Sequence, residues 1–188
     1  IYHTISQRKY YEMYYPWIVE KSKFISFGTD SEYFKPIYNE NQNDDYIICV
    51  GYSKRDWNTL IEAYGKVKTN MKLKLIGKGD IDVNDRRIEV ITFIPIKQLM
   101  HEISNCKFSI LPLEYYNYSY GQMTLLQQMS MGKAVIAAKV PSLEHYIDDG
   151  INALFYESKN SDDLALKINK LIDDEQLCNK IGKYAHKS

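Results

Sequence analysis

Apolar residues fall along this chain in two rhythms. Short, mostly apolar runs, Tyr46 to Gly51, Leu73 to Ile76, Val90 to Phe93, Phe108 to Pro112 and Ala134 to Ala138, have the length and apolar content of buried strands. Between them the spacing changes to that of helices. Arg55 to Val67 is predicted helical with Leu60, Ile61, Tyr64 and Val67 on one face, Pro95 leads a helix through Met100, and Gln122 to Met131 carries Leu125, Leu126 and Met129 as its apolar side. Gly132 stops that last helix, as a residue suited to positive φ does just past a final turn. Asp162 to Ile172 and Glu175 to Tyr184 are amphipathic and are read as packing elements with solvated charged faces. Strands alternating with helices at this pitch predict an α/β fold with a doubly wound, mostly parallel sheet flanked by helices. Ligands of such sheets bind at the carboxyl ends of the strands.

Residues 1 to 16 are rich in tyrosine, and a short helix from about Thr4 is predicted to end at Pro16. Asn39 to Asp45 is a polar linker, and there is no internal repeat. With 188 residues, 45% of them hydrophobic, the chain is long enough for one well-buried domain. No apolar run approaches the 18 or so residues of a membrane span. Twenty-four basic residues balance twenty-four acidic ones, so no overall field draws the chain to nucleic acid or an anionic membrane. Cys49, Cys106 and Cys178 are odd in number and far apart, which reads as reduced thiols and a cytoplasmic location. The four histidines show no metal-ligand spacing, so no metal site is expected. A start at Ile1 and an end inside a helical pattern read as a fragment.

Chemistry concentrates around Gly121. A glycine opening a helix removes side-chain bulk where the first-turn amides and the positive dipole end face outward, an arrangement that favours a phosphate but equally serves an ordinary helix start. Lys54 and Arg55 follow the Tyr46 to Gly51 strand, where the ligand edge of the sheet begins, and a fixed cation there suits a diphosphate. The loop from Glu114 to Tyr120, EYYNYSY, places four tyrosines where they line either a sugar-facing cleft or an interaction surface. Gly77-Lys78-Gly79 lacks the flanking residues of a phosphate-binding P-loop.

The string Leu125-Leu126-Gln127-Gln128-Met129-Ser130-Met131-Gly132-Lys133-Ala134-Val135-Ile136 is similar to the LLEAMAxGKPVI signature of the family 4 retaining glycosyltransferases. It is followed by Glu144, Asp149-Gly150 and Asn152-Ala153-Leu154, where that family shows a Glu, a DG pair and an NGL-like run. VGYSKRDWNTLIEA resembles the family's first strand, phosphate loop and helix, Phe24 to Asp30 its "vipnGvD" strand and turn, and Phe34-Lys35-Pro36 its "FxP". The resemblance implies a Rossmann-like sheet forming one half of a GT-B enzyme. Residues 1–188 are then a single donor-binding domain, with 1–22 the crossing segment from an N-terminal acceptor-binding domain or subunit.

By the same resemblance the donor is a nucleotide diphosphate sugar, by family frequency a UDP-sugar, moved with retention onto a glycan or lipid-linked acceptor. No separate cofactor and no metal are implied, and membrane contact arises only through the absent half, at the inner face. Arg55 takes the place of the phosphate-contacting Lys, while Tyr52 stands where the family has an Arg. Two family glutamates, one for a sugar hydroxyl and one for the ribose, fall on Ser119 and Gln127. Gln127 is able to serve the ribose without charge assistance, whereas Ser119 reaches less far. Arg55, Ser119 and Gln127 thus form the implied catalytic set. Gly51, Lys54, Arg55, Ile94, Pro95, Gly121, Gln122, Met123, Thr124 and Gln127 form the implied donor site, with Phe93-Ile94-Pro95 meeting the base through backbone atoms. The contrasting expectation is a non-catalytic Rossmann-like module that binds a nucleotide or a protein. The two differ at Arg55, Gln127 and the turn after Gly121, which line one concave site in an enzyme.

Overall fold

A computed structural model describes residues 1–37, 46–77 and 81–188. The expected linker Asn39 to Asp45, and Lys78 and Gly79 of the Gly77 to Gly79 turn, lie outside the described residues. The elements in order are α1 (Ile5–Tyr14), α2 (Pro16–Val19), β1 (Tyr46–Val50), α3 (Trp57–Lys66), β2 (Lys72–Ile76), β3 (Ile88–Ile91), α4 (Ile96–Asn105), β4 (Ser109–Leu111), α5 (Gln122–Ser130), β5 (Val135–Ala138), β6 (Leu154–Tyr156), α6 (Ser161–Asp173) and α7 (Glu175–Lys187). The strands form one sheet in the order β3-β2-β1-β4-β5-β6, and every recorded pairing is parallel. Ile48 of β1 sits opposite Lys74 of β2 on one side and Ser109 of β4 on the other. The expected doubly wound α/β architecture is therefore the observed one.

Period-two burial explains why both faces of this sheet are covered. Ile47 and Cys49 of β1, with Leu73 and Leu75 of β2, join the core shared with α3, α5, α6 and α7. Their neighbours Tyr46, Ile48 and Val50 point the other way, onto Ile103 and Met100 of α4. Each fully buried Leu or Ile in these layers contributes roughly 1.5–3 kcal/mol of transfer free energy. Lys74 crosses the second face to form an ion pair with Glu102 at 2.7 Å and sits 3.7 Å from the ring centre of Tyr46, tying β1, β2 and α4 together.

Helix starts follow local chemistry. Asp56 caps α3 by accepting from the Thr59 amide at 3.1 Å and the Thr59 hydroxyl at 2.7 Å, the kind of cap worth about 1 kcal/mol. Asn160 and Asp174 do the same for α6 and α7. By contrast α5 begins at Gly121, with φ 83° and no side-chain cap. Gly132, at φ 73°, turns the chain from α5 into β5 as expected.

Several boundaries differ from the sequence reading. Pro16 does not simply end a helix; α1 stops at Tyr14 and Pro16 opens α2, where its missing N–H costs nothing. Phe24 makes only an isolated bridge to Tyr2 instead of leading a strand. The third strand runs 88–91, not 90–93, so Phe93 lies beyond it and is 72% exposed. β6 has three residues, too short for its pattern to be legible, and forms because β5 offers it a parallel partner.

Candidate functional site

In a sheet of this order the chain reverses direction between β1 and β4, and their carboxyl ends open the crevice where ligands bind. The chain after β1 (residues 51–56) and the chain after β4 (residues 112–121) meet there. Arg55 and Leu113 form an antiparallel bridge, the Asp56 amide donates to the Pro112 carbonyl at 2.8 Å, and the Glu114 amide donates to the Lys54 carbonyl at 3.2 Å.

Arg55 is the centre of this junction and is only 8% exposed. Its guanidinium donates from Nε to the Val50 carbonyl at 3.1 Å, from Nη1 to the Ser53 carbonyl at 2.9 Å and from Nη2 to Thr124 Oγ1 at 3.1 Å. These partners are neutral, and among the described residues no carboxylate pairs with it. Burial lowers its pKa from the ordinary arginine value, with the Cys49 thiol and Tyr120 opposing, but an arginine keeps its proton. The result is a fixed cation held against the first turn of α5, whose own amide end is positive.

Glycines make room for that arrangement. Gly51, with φ 137°, lies under the guanidinium, so a Cβ there would stand 2.1 Å from Arg55 Nη2. Gly77 at the end of β2 approaches the Gly51 carbonyl so closely that its own Cβ would come within 2.1 Å of that oxygen. Gly121 is pressed on by Leu113, whose Cδ1 an added Cβ would meet at 2.5 Å. These glycines therefore let Arg55, the Gly51 carbonyl and Leu113 pack directly on backbone at the strand ends.

Lys54, at φ 57°, points away from Arg55 toward the tyrosine loop. Its Nζ donates to the Tyr116 hydroxyl at 3.3 Å and rides 4.4 Å from that ring's centre, contacts that hold the exposed ammonium above its ordinary pKa. Tyr116 in turn donates to Glu114 Oε2 at 2.9 Å, and the Tyr120 hydroxyl donates to the Glu114 carbonyl. The rings of Tyr116, Tyr118 and Tyr120 pack on one another with centroids 5.1 to 5.9 Å apart. Burial pushes the Tyr120 phenol up to about 12.

The remaining sequence-predicted residues occupy several settings. Thr124 faces Arg55, and Gln127, half-buried, lies one turn further along the same side of α5. Ser119 accepts from Gln122 Nε2 at 2.7 Å, so both close the start of α5 on itself. Met123 is 56% exposed at the rim. Ile94, beyond the end of β3, packs against the cluster that includes Val50 and Ile76, and Pro95 stands at the N-cap position of α4. Gly51, Lys54, Arg55, Gly121 and Thr124 therefore meet at the crevice, while Ile94 and Pro95 mark its far end two strands away. Gly77 and the clamp of Lys54, Tyr116 and Glu114 did not emerge from sequence patterns. A glycine closing a strand was the only available signal for the first. Glu144 is exposed in the turn after β5.

A cavity of about 640 Å³ opens at the opposite edge, between the Gly132 turn and α7, lined by Lys107, Lys133, Gly182 and His186. That is the amino end of the strands, the wrong edge for a ligand of a parallel sheet.

Comparisons with known proteins converge. The family model described as Glycosyl transferases group 1 matches residues 30–188. An uncharacterised glycosyltransferase of Methanocaldococcus jannaschii is 27% identical over 157 residues, covering 78% of this chain and 43% of the relative. The N,N'-diacetylbacillosaminyl-diphospho-undecaprenol alpha-1,3-N-acetylgalactosaminyltransferase of Campylobacter jejuni is 23% identical over 181 residues, covering 85% of this chain and 47% of the relative. The chain spans about half the length of these curated relatives. Among solved structures, Anabaena HepE in complex with UDP-glucose superimposes with a TM-score of 0.77 at 19% identity, over 90% of this chain and 52% of that one.

Proposed function

Because the chain belongs to the group 1 glycosyl transferases, we propose that its β1/β4 crevice binds the nucleoside diphosphate part of a sugar donor, as the donor half of a retaining, metal-independent transferase. The observation that carries this reading is Arg55, a buried guanidinium braced by Val50, Ser53 and Thr124 with no carboxylate beside it among the described residues. A cation without a counter-charge, set against a helix N-terminus, is stabilised by a bound anion. The diphosphate sits beside the Arg55 guanidinium and in front of the first turn of α5, where Gln122, Met123 and Thr124 present their amides. Gln127, on the same side of α5 as Thr124, takes the ribose hydroxyls, accepting from one and donating to the other. The base extends past Gly77 toward Ile94 and Pro95 at the end of β3. UDP is the proposed nucleotide, in keeping with the UDP-glucose held by the structurally similar Anabaena protein.

Chemistry on the donor's anomeric carbon then needs a second reactant placed from outside this domain. Since the chain spans about half of its relatives, the acceptor site is assigned to a separate domain or subunit, whose closure over the crevice excludes water and aligns the two reactants. Ser119, already bonded to Gln122, is left a minor part in the implied catalytic set. Among the described residues no helix is long and apolar enough to cross a membrane. The test is amide chemical-shift mapping with UDP, GDP and ADP. Shifts clustered at Gly51 to Arg55 and Gly121 to Thr124, strongest with UDP, are expected. Shifts confined to the 640 Å³ cavity at the opposite edge would refute the assignment.

A further inference from the structure

We infer that Glu114 is the side chain that reads hydroxyl groups of the donor sugar, an inference that rests on the donor-binding reading above and narrows it to one residue. The two loops that meet at the crevice, 51–56 and 112–121, contain two carboxylates, Asp56 and Glu114. Asp56 is spent on capping α3, with one oxygen on the Thr59 amide and the other on the Thr59 hydroxyl. Glu114 is therefore the carboxylate still available to a ligand.

Its position is fixed at three points. The amide is bonded to the Lys54 carbonyl, the carbonyl accepts from Tyr120, and Oε2 accepts from Tyr116 at 2.9 Å. Tyr116 is itself fixed by Lys54, above its ring and 3.3 Å from its hydroxyl. Among the described residues no cation lies within ion-pairing distance of Glu114, and one phenol does not exhaust a carboxylate's capacity to accept. An immobile carboxylate with spare acceptor sites is suited to hydroxyl groups, each of which donates a charge-assisted hydrogen bond.

Electrostatics decides which part of the donor it meets. A carboxylate repels a diphosphate, so it does not serve the anion seated over Arg55; it serves the uncharged, hydroxyl-bearing group next to that anion. A nucleotide sugar carries two such groups, the ribose and the sugar; the ribose is taken by Gln127 in the reading above, which leaves the sugar to the carboxylate. Ser119, shorter and already bonded to Gln122, does not compete for it.

The experiment compares calorimetric affinities of UDP and of UDP-glucose, UDP-galactose, UDP-N-acetylglucosamine and UDP-N-acetylgalactosamine for the wild-type chain, Glu114→Gln and Tyr116→Phe. Glu114→Gln keeps the shape and the Tyr116 contact, and a matching melting temperature confirms its fold. The expected result is unchanged UDP affinity and a loss of about tenfold to a hundredfold for the best-bound UDP-sugar. Tyr116→Phe, which frees the carboxylate without removing it, gives a smaller loss on the same ligand. Equal losses for UDP and UDP-sugar, no loss for either, or a wild type that binds every UDP-sugar no better than UDP would each overturn the role of Glu114 and leave the donor-binding reading standing. A wild-type chain that binds none of these ligands would overturn the donor-binding reading itself, and this inference with it.

Discussion

Replacing Gly51 by alanine tests how the anion seat is built. Gly51 has φ 137°, and an added Cβ would lie 2.1 Å from Arg55 Nη2, 2.4 Å from Cζ and 2.6 Å from Nε. The backbone conformation alone costs a side-chain-bearing residue roughly 1–3 kcal/mol. The guanidinium cannot stay where it is, and moving it breaks at least one of its bonds to Val50, Ser53 and Thr124, worth about 1.5–3 kcal/mol for a charged donor. Together these destabilise the fold by about 2.5–6 kcal/mol, which for a domain of this size lowers Tm by at least about 5 °C. The same displacement removes the cation from the crevice, so UDP binding is lost even well below the melting point. Differential scanning calorimetry and a UDP titration at low temperature read the two effects. Gly28→Ala is the control, since nothing lies within 4 Å of a Cβ built there, and its melting curve should not move. A Gly51→Ala chain that melts within about 2 °C of wild type and binds UDP normally would show that Arg55 does not depend on the bare backbone beneath it, at odds with the strain estimate.

Three further outcomes are expected. If Gln127 takes the ribose as proposed, Gln127→Leu weakens UDP but leaves inorganic pyrophosphate binding unchanged; parallel losses measured by calorimetry would remove it from that role. Gly65→Ala, inside α3 with nothing within 4 Å of the new Cβ, stabilises the chain by about 0.5–1 kcal/mol, and a fall in Tm would contradict this. Cys49, Cys106 and Cys178 are all buried and, among the described residues, none is in a disulfide; burial raises the Cys49 thiol to about 12. A thiol reagent at pH 8 should therefore report no fast-reacting group until denaturant is added, and one rapid equivalent would show an opening at β1 or near α7.

Much of the architecture was legible because burial leaves a periodic record. Runs such as Ile47 to Val50 and Val135 to Ala138 are apolar at every position, which only a strand covered on both faces requires. Helix α5 was bounded correctly at its first residue and within one at its last, since Gly121 and Gly132 supply the positive φ that those turns demand. The group 1 transferase assignment was carried by the same stretch. β6 escaped notice because three residues hold no period, and β3 was placed two residues late because Phe93 is apolar yet exposed.

What the linear chain could not show is how its separate signals meet. Periodicity reports that a residue is covered; it does not say by what. Strand order placed β1 beside β4, and with it Arg55 beside Thr124, which is 69 positions away. The family resemblance singled out Arg55 over its neighbour Lys54, but only the fold shows where each goes: Lys54, with its left-handed backbone, sits over Tyr116, and Arg55 is buried beneath α5. The sequence offered Glu114 as a stand-in for the family glutamate that falls on Ser119 but could not show its surroundings; that Asp56 is engaged and Tyr116 anchors Glu114 is visible only in the fold. These facts depend on long-range pairing and on which rotamers the packed neighbours leave open, so they belong to the folded molecule and leave no period in the sequence.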